Sequence, residues 1–181
     1  DAPFEAPGPI ERAERFAAVA AMIYLLFNEG YSASGKALEA KGGLCDEAIR
    51  LARLLLRLFP SEPEMMGLTA LLLIQHARSD ARFDADGLAI LLEDQDRSLW
   101  NREMIGEGLA LIDKAIALDG GYAHAHAWRA CILGQQWGWG WCEDRAATEA
   151  LIVDAVETAR RLDDNDSDVQ RLLAAVAMIY R

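Results

Sequence analysis

The sequence predicts an all-α protein built of antiparallel helical hairpins stacked side by side, and three observations carry that expectation. Hydrophobic residues make up 52% of the 181, with Ala and Leu filling long segments between punctuating clusters of Gly and Pro. Apolar residues recur amphipathically, as in Ile49, Leu51, Leu54, Leu55 and Leu58 with Arg50, Arg53 and Arg57 between them. The chain also repeats itself: Ala115-Ile-Ala-Leu-Asp119 followed by Tyr122 to Trp128 overlays Ala159-Arg-Arg-Leu-Asp163 followed by Asp166 to Leu172.

Taken in order, residues 1–9 (Asp1-Ala-Pro-Phe-Glu-Ala-Pro-Gly-Pro9) have the composition of an inter-domain linker and read as the remnant of a longer chain. Pro9 near the first turn, with Glu11 and Glu14 where the helix dipole favours them, starts a helix expected to run to about Asn28 and to stop at Gly30. Tyr31 to Gly35 and Gly42-Gly43 bracket a flexible, Lys-containing loop. A second helix is expected from Cys45 to Phe59. Pro60-Ser-Glu-Pro63 ends it and opens a third, from Glu64 to about Arg78. Ser79 to Asp96 is a long connector containing Asp84-Ala-Asp-Gly87 and a stretch, Leu88 to Leu92, able to run extended. With Asp96 or Ser98 as N-cap, a fourth helix covers about Leu99 to Leu118, weakened by Gly106 and Gly108.

The repeat then governs the tail. Leu118 and Leu162 of its two copies stand 44 residues apart, against roughly 34 for a tetratricopeptide (TPR) unit. The excess falls where Gly134 to Asp144 lengthens the turn, and Leu55 to Pro63 is a looser copy. Small Ala residues let paired helices approach closely, and Leu anchors each helix before its turn. The expected architecture is a TPR-like right-handed superhelix, with residues 10–113 one helical domain and residues 114–181 TPR-like repeats packed on it as one unit.

Eighteen Lys plus Arg against 29 Asp plus Glu leave a net charge of −11, which repels a phosphate backbone and argues against direct nucleic-acid binding. The three cysteines, Cys45, Cys131 and Cys142, make no C-x-x-C pair and fit free thiols in a reducing compartment, so a cytoplasmic location is expected. The longest apolar run, Phe16 to Phe27, has 12 residues, short of the roughly 20 that span a bilayer. No basic stretch with a cleavage site precedes it, so neither a membrane segment nor a signal peptide is expected.

Candidate chemistry is sparse. In Asp163-Asp-Asn-Asp-Ser-Asp168 a calcium loop fails, because Val169 holds the glycine position and Ala175 the closing glutamate position; an acidic turn capping the last helix is the reading. His124, His126, Cys131 and Cys142 are zinc-ligand types, but His124 and His126, two apart, point in different directions on a helix. His76 is accompanied by no nucleophile signature, phosphate loop or metalloprotease helix. The expectation is therefore no catalytic residue, no cofactor and no metal. Trp137, Trp139 and Trp141 alternate with glycines, either as an aromatic surface for a ligand or partner or as a loop folded back over the helical stack.

Five stretches carry a resemblance: Pro3-Phe4 in a proline-rich lead, Tyr24 to Ser34 (with Asn28, Glu29, Gly30 and Tyr31), Leu44 to Ala52, His76-Ala-Arg78, and Leu91 to Trp100 (with Glu93, Asp94, Gln95, Asp96, Arg97 and Trp100). In this order residues 3–113 resemble the C-terminal extension of one group of extracytoplasmic-function (ECF) RNA polymerase sigma factors. The tail from about 114 resembles TPR segments of class III adenylate cyclases and transcriptional regulators. The resemblance implies a non-catalytic helical domain that regulates the sigma factor in place of a separate anti-sigma protein. Its partner would be the DNA- and polymerase-binding sigma regions or an RNA polymerase-associated protein. Asn28, Glu29, Gly30, Tyr31, His76, Arg78, Arg82, Glu93, Asp94, Gln95, Asp96, Arg97 and Trp100 would form its regulatory or docking surface; otherwise they hydrogen-bond the connector in place. An acidic domain complements basic sigma helices. Two further readings stand beside it: a small-molecule sensor using the Trp-rich stretch and an inter-helix pocket, or a general peptide-binding scaffold. An exposed apolar groove would also allow a homodimer.

Overall fold

An Ala- and Leu-rich chain adopts helix wherever Gly and Pro do not interrupt it, because these side chains lose little rotamer freedom there. The computed structural model describes residues 8–33, 41 and 43–179. Among them it shows seven α-helices: α1 Pro9–Tyr31, α2 Gly43–Leu58, α3 Pro63–His76, α4 Arg102–Leu118, α5 Ala123–Gly138, α6 Arg145–Leu162 and α7 Ser167–Ile179. The fold is all-α, as expected; among the described residues the β structure is an isolated antiparallel bridge between Phe83 and Ala89. Most of the expected linker (residues 1–7), and residues 34–40 and 42 of the Lys-containing loop, lie outside the described residues. By contacts the chain divides into two units: residues up to Pro60 with Leu71–Met104, and Ser61–Ala70 with the residues from Ile105 onward.

In the first unit α1 and α2 pack as an antiparallel hairpin. Ile23 and Phe27 of α1 are buried, as are Cys45, Ala48, Ile49 and Ala52 of α2. At the open end Phe16 and Phe59 meet edge to face, with ring centroids 5.3 Å apart. At the turn end α1 does not stop at Gly30 but continues to Tyr31. Gly30 serves close approach instead: a Cβ there would stand 3.0 Å from the Cys45 amide nitrogen, the Cys45 sulfur and the Leu44 Cβ.

The connector from Ala77 to Asn101 closes on itself, the Asn101 amide donating to the Ala77 carbonyl at 2.8 Å. Within it Asp84 Oδ1 accepts from the amides of Asp86 and Leu88 at 3.0 and 2.9 Å. Gly87 takes φ +75°, the left-handed conformation this turn requires. Within Leu88 to Leu92 the pairing is limited to one bridge, Ala89 opposite Phe83, closed by the Ile90 amide on the Arg82 carbonyl at 2.8 Å and the Asp84 amide on the Leu88 carbonyl at 3.0 Å. The fourth helix begins at Arg102, three residues later than expected. Asp96 does accept from the Ser98 amide at 2.9 Å, but it caps a short 3-10 turn, Arg97–Leu99. Trp100 then leaves helical geometry with ψ 134° and is buried. Asn101 caps α4 through the Met104 amide at 3.0 Å.

In the second unit α5 is sandwiched, packing most extensively on α6 and next on α7, while α6 and α7 meet in few places. Ala123, Ala127 and Ala130 of α5, Ile152, Ala155 and Ala159 of α6, and Val169, Leu172 and Val176 of α7 form its core. Small side chains on α5 let both neighbours come close. The stretch from Gly134 lengthens a helix rather than a turn: α5 runs to Gly138, and Gly140 (φ +70°) reverses the chain. Asp144 starts α6, its carboxylate accepting from the Ala147 amide at 2.9 Å. The acidic turn caps α7 through Asp166, which accepts from the amides of Asp168 and Val169 at 2.8 and 2.9 Å.

Candidate functional site

The last turn of α1 and the end of α3 supply the polar cluster at the centre of the first unit. Tyr31 sits at the C-terminus of α1, where backbone carbonyls lack helical partners. The Ser32 amide returns to the Asn28 carbonyl at 2.9 Å and the Ala33 amide to the Gly30 carbonyl at 3.3 Å. Arg82 Nη1 donates to the Tyr31 carbonyl at 2.8 Å. Its guanidinium carbon lies 3.5 Å from the centre of the Tyr31 ring and 5.0 Å from that of Phe83. Burial pulls the Arg82 pKa below its usual value, while the Tyr31 phenol acts the other way; a cation taken from water is held here by a ring face and a carbonyl.

The Tyr31 hydroxyl donates to Gln75 Oε1 at 2.9 Å and accepts from Arg78, which also donates to Gln75. Arg78 faces the Trp100 ring at 5.7 Å. Behind Tyr31, Phe27 stacks on its ring at 5.4 Å and meets His76 edge-on at 6.4 Å. His76 Nε2 stands 2.9 Å from Asp46 Oδ1 of α2. Cys45, next to Asp46, points its sulfur at the Phe27 carbonyl at 3.5 Å; burial first, then Asp46, pushes its thiol pKa up, with Arg82 opposing. Tyr31, His76, Arg78, Arg82 and Trp100 are thus brought together by side-chain contacts.

The remaining motif residues lie around this cluster. Asn28 contributes its backbone carbonyl, and Glu29 pairs with Lys41 on the surface, which lowers the Glu29 pKa. Gln95 is buried and donates to the Ile90 carbonyl at 3.1 Å. Asp96 caps its turn, and the two hydrogen bonds from Ser98 hold its pKa down. Arg97 is half-buried, whereas Glu93 and Asp94 are exposed. Sequence reasoning did not single out Phe27, Gln75 or Asp46, although Phe27 and Asp46 lie within the stretches Tyr24 to Ser34 and Leu44 to Ala52; for Gln75 the available signal was adjacency to His76.

The tryptophans divide. Trp137 lies on α5, packs against the core of the second unit and carries the Arg145 guanidinium over its ring at 3.8 Å. Trp139 and Trp141 meet edge to face at 5.1 Å, both half-buried. His124 stands 3.3 Å from Asp166, and His126 Nε2 lies 3.2 Å from the Gly120 carbonyl. No helix among the described residues is long and apolar enough to cross a membrane.

An all-α domain whose half-buried polar cluster ties a helical hairpin to a closed connector is what these observations define. The chain belongs to a family of unknown function (DUF6596), whose model matches residues 15–116. It is 69% identical over 114 residues to the uncharacterized protein R00370 of Rhizobium meliloti (strain 1021). That match covers 63% of this chain and 27% of the relative, so the chain spans about a quarter of the relative's length. No solved structure matches the chain.

Proposed function

We propose that this chain is a cytoplasmic, non-catalytic regulatory domain of an ECF-type sigma factor, one that modulates transcription initiation by docking on the sigma regions, with TPR-like stacking as its scaffold. The observation that carries this reading is a segregation of charge along residues 78–97. Arg78 and Arg82 turn inward onto Tyr31 and Trp100, and Arg97 is half-buried. Asp80, Asp84, Asp86, Glu93, Asp94 and Asp96 are all exposed. The motif residues thus build the support, and the support displays carboxylates. Such an edge complements the basic helices with which sigma regions bind DNA. The family match covers the stretch that resembles the sigma extension, and nearly three quarters of the Rhizobium relative lies outside its match, room for sigma regions.

The test is a calorimetric titration of the separately made sigma regions with this chain at about 0.05 and 0.5 M salt. Association that weakens with salt over the range where screening shortens from ~14 to ~4 Å, and that falls at least tenfold on combining Asp80→Asn, Asp84→Asn and Asp86→Asn, is the expected result. Binding absent at both salts would overturn the reading. Tryptophan fluorescence against a metabolite panel separates it from a ligand sensor, for which Trp139 and Trp141 would report.

A further inference from the structure

The internal repeat makes α7 the counterpart of α5, and the two helices differ in what covers them. Ala130 and Leu133 of α5 are buried, while the residues 44 positions on, Ala174 and Ala177 of α7, are exposed. Gly134 is buried, while its counterpart Met178 is 75% exposed. The face of α5 that a neighbouring helix closes is therefore open on α7. Together with α6 it forms a groove of about 720 Å³, floored by Ile152, Val153 and Val156 on one side and Leu173, Ala174 and Ala177 on the other. That open face of α7 presents two exposed alanines and a methionine.

The charged residues of α6 that line the groove, Glu149, Glu157 and Arg160, bear on its occupant. Glu149, Val153, Val156 and Arg160 follow one stripe at helical spacing, and all four line the groove. The stripe reads acid, apolar, apolar, base over twelve residues, about 16 Å of helix. A two-fold axis between Val153 and Val156 sets Glu149 against Arg160 of a second copy and Arg160 against its Glu149, with the valines packed between. A patch that complements itself under a two-fold is the requirement for an isologous dimer.

We infer that the α6–α7 groove is a self-association surface, occupied by the same groove of a second copy of this chain in antiparallel register. This goes beyond the proposed regulatory role and uses a face of the other unit, so either can fail alone.

The test is sedimentation of the full 181-residue chain over a concentration series at about 0.15 M salt, where long-range repulsion is screened beyond ~8 Å. A reversible dimer is expected. Glu149→Arg and Arg160→Glu should each weaken it at least tenfold, and the double swap should return it to within about threefold. Val153→Glu should abolish it; circular dichroism checks that each variant stays helical. A chain that is monomeric throughout would overturn the inference, as would a dimer that none of these substitutions alters. A dimer weakened instead by Met22→Glu on α1 would place the contact elsewhere and overturn it equally.

Discussion

Arg82 holds Tyr31 twice, by its ring face and by its carbonyl: the guanidinium carbon lies 3.5 Å from the ring centre, and Nη1 donates to the carbonyl oxygen at 2.8 Å. The two residues are 51 positions apart, so one side chain closes the end of α1 and anchors the connector against it. A cation near the C-terminus of a helix also meets the negative end of its dipole.

Arg82→Ala removes the stack and the charge-assisted hydrogen bond together. Such contacts contribute about 1–2 and 1.5–3 kcal/mol respectively and overlap here, so a loss of roughly 2–4 kcal/mol is expected in urea unfolding. Arg82→Lys should recover less than half of it, because an ammonium cannot lie flat on the ring and reach the carbonyl in one geometry.

Tyr31→Phe is milder. The ring keeps its contacts with Phe27 and Arg82, and Gln75 Oε1 still accepts from Arg78. The expected cost is about 1 kcal/mol, one hydroxyl's net hydrogen bonding. Equal losses for Tyr31→Phe and Arg82→Ala would show that the hydroxyl, not the guanidinium, is the central tie.

Two glycines should respond oppositely to alanine. At Gly30 the new Cβ meets two backbone-anchored atoms and a sulfur, all at 3.0 Å, and the displacement of α2 outweighs the propensity gain; a net loss of about 1–3 kcal/mol is expected. Gly106 lies within α4, exposed, and nothing stands within 4 Å of its Cβ position. Gly106→Ala should stabilise by up to about 1 kcal/mol. Thermal melts of the two variants side by side check both signs.

These positions show what the sequence made legible. Spacing of Ala and Leu was enough for helices, because helical periodicity is local. Asp96 and Asn101 both carry N-cap chemistry; burial of Trp100 between them, a tertiary fact, decides that α4 starts after the second. The Trp-Gly alternation reads as loop, yet α5 extends through Trp137, whose packing against the unit's core outweighs the propensity cost of Gly138. Tyr31, His76 and Arg78 were legible as motif residues, but the roles of Gln75 and Asp46 were not, since their partners lie 44 and 30 positions away and adjacency to a motif residue does not reveal a distant partner.

The cap of α7 should show in acid. Hydrogen bonding from the Val169 amide, aided by His124, holds the Asp166 carboxyl below its ordinary pKa of 3.8. A depressed carboxylate stabilises above its unfolded-state pKa, and that contribution is lost as pH falls through the lower folded value. Asp166→Asn keeps a capping oxygen without the charge, so wild type should exceed it in stability near pH 6 and converge on it below pH 3.8. A gap that persists at low pH would mean that shape rather than ionisation makes the difference.

Thiol chemistry offers a probe of both units in one sample. Cys45 and Cys131 are buried, and burial raises the pKa of each, so little reactive thiolate forms and little reagent reaches it. Cys142 is half-exposed, between Trp141 and Glu143. With iodoacetamide at pH 8, mass spectrometry should find Cys142 modified first and the other two only as their units open. Adding urea in steps then reads each unit separately, Cys45 for the first and Cys131 for the second. In Arg82→Ala the Cys45 reaction should move to lower urea while that of Cys131 stays. Movement of both together would show instead that the two units unfold as one.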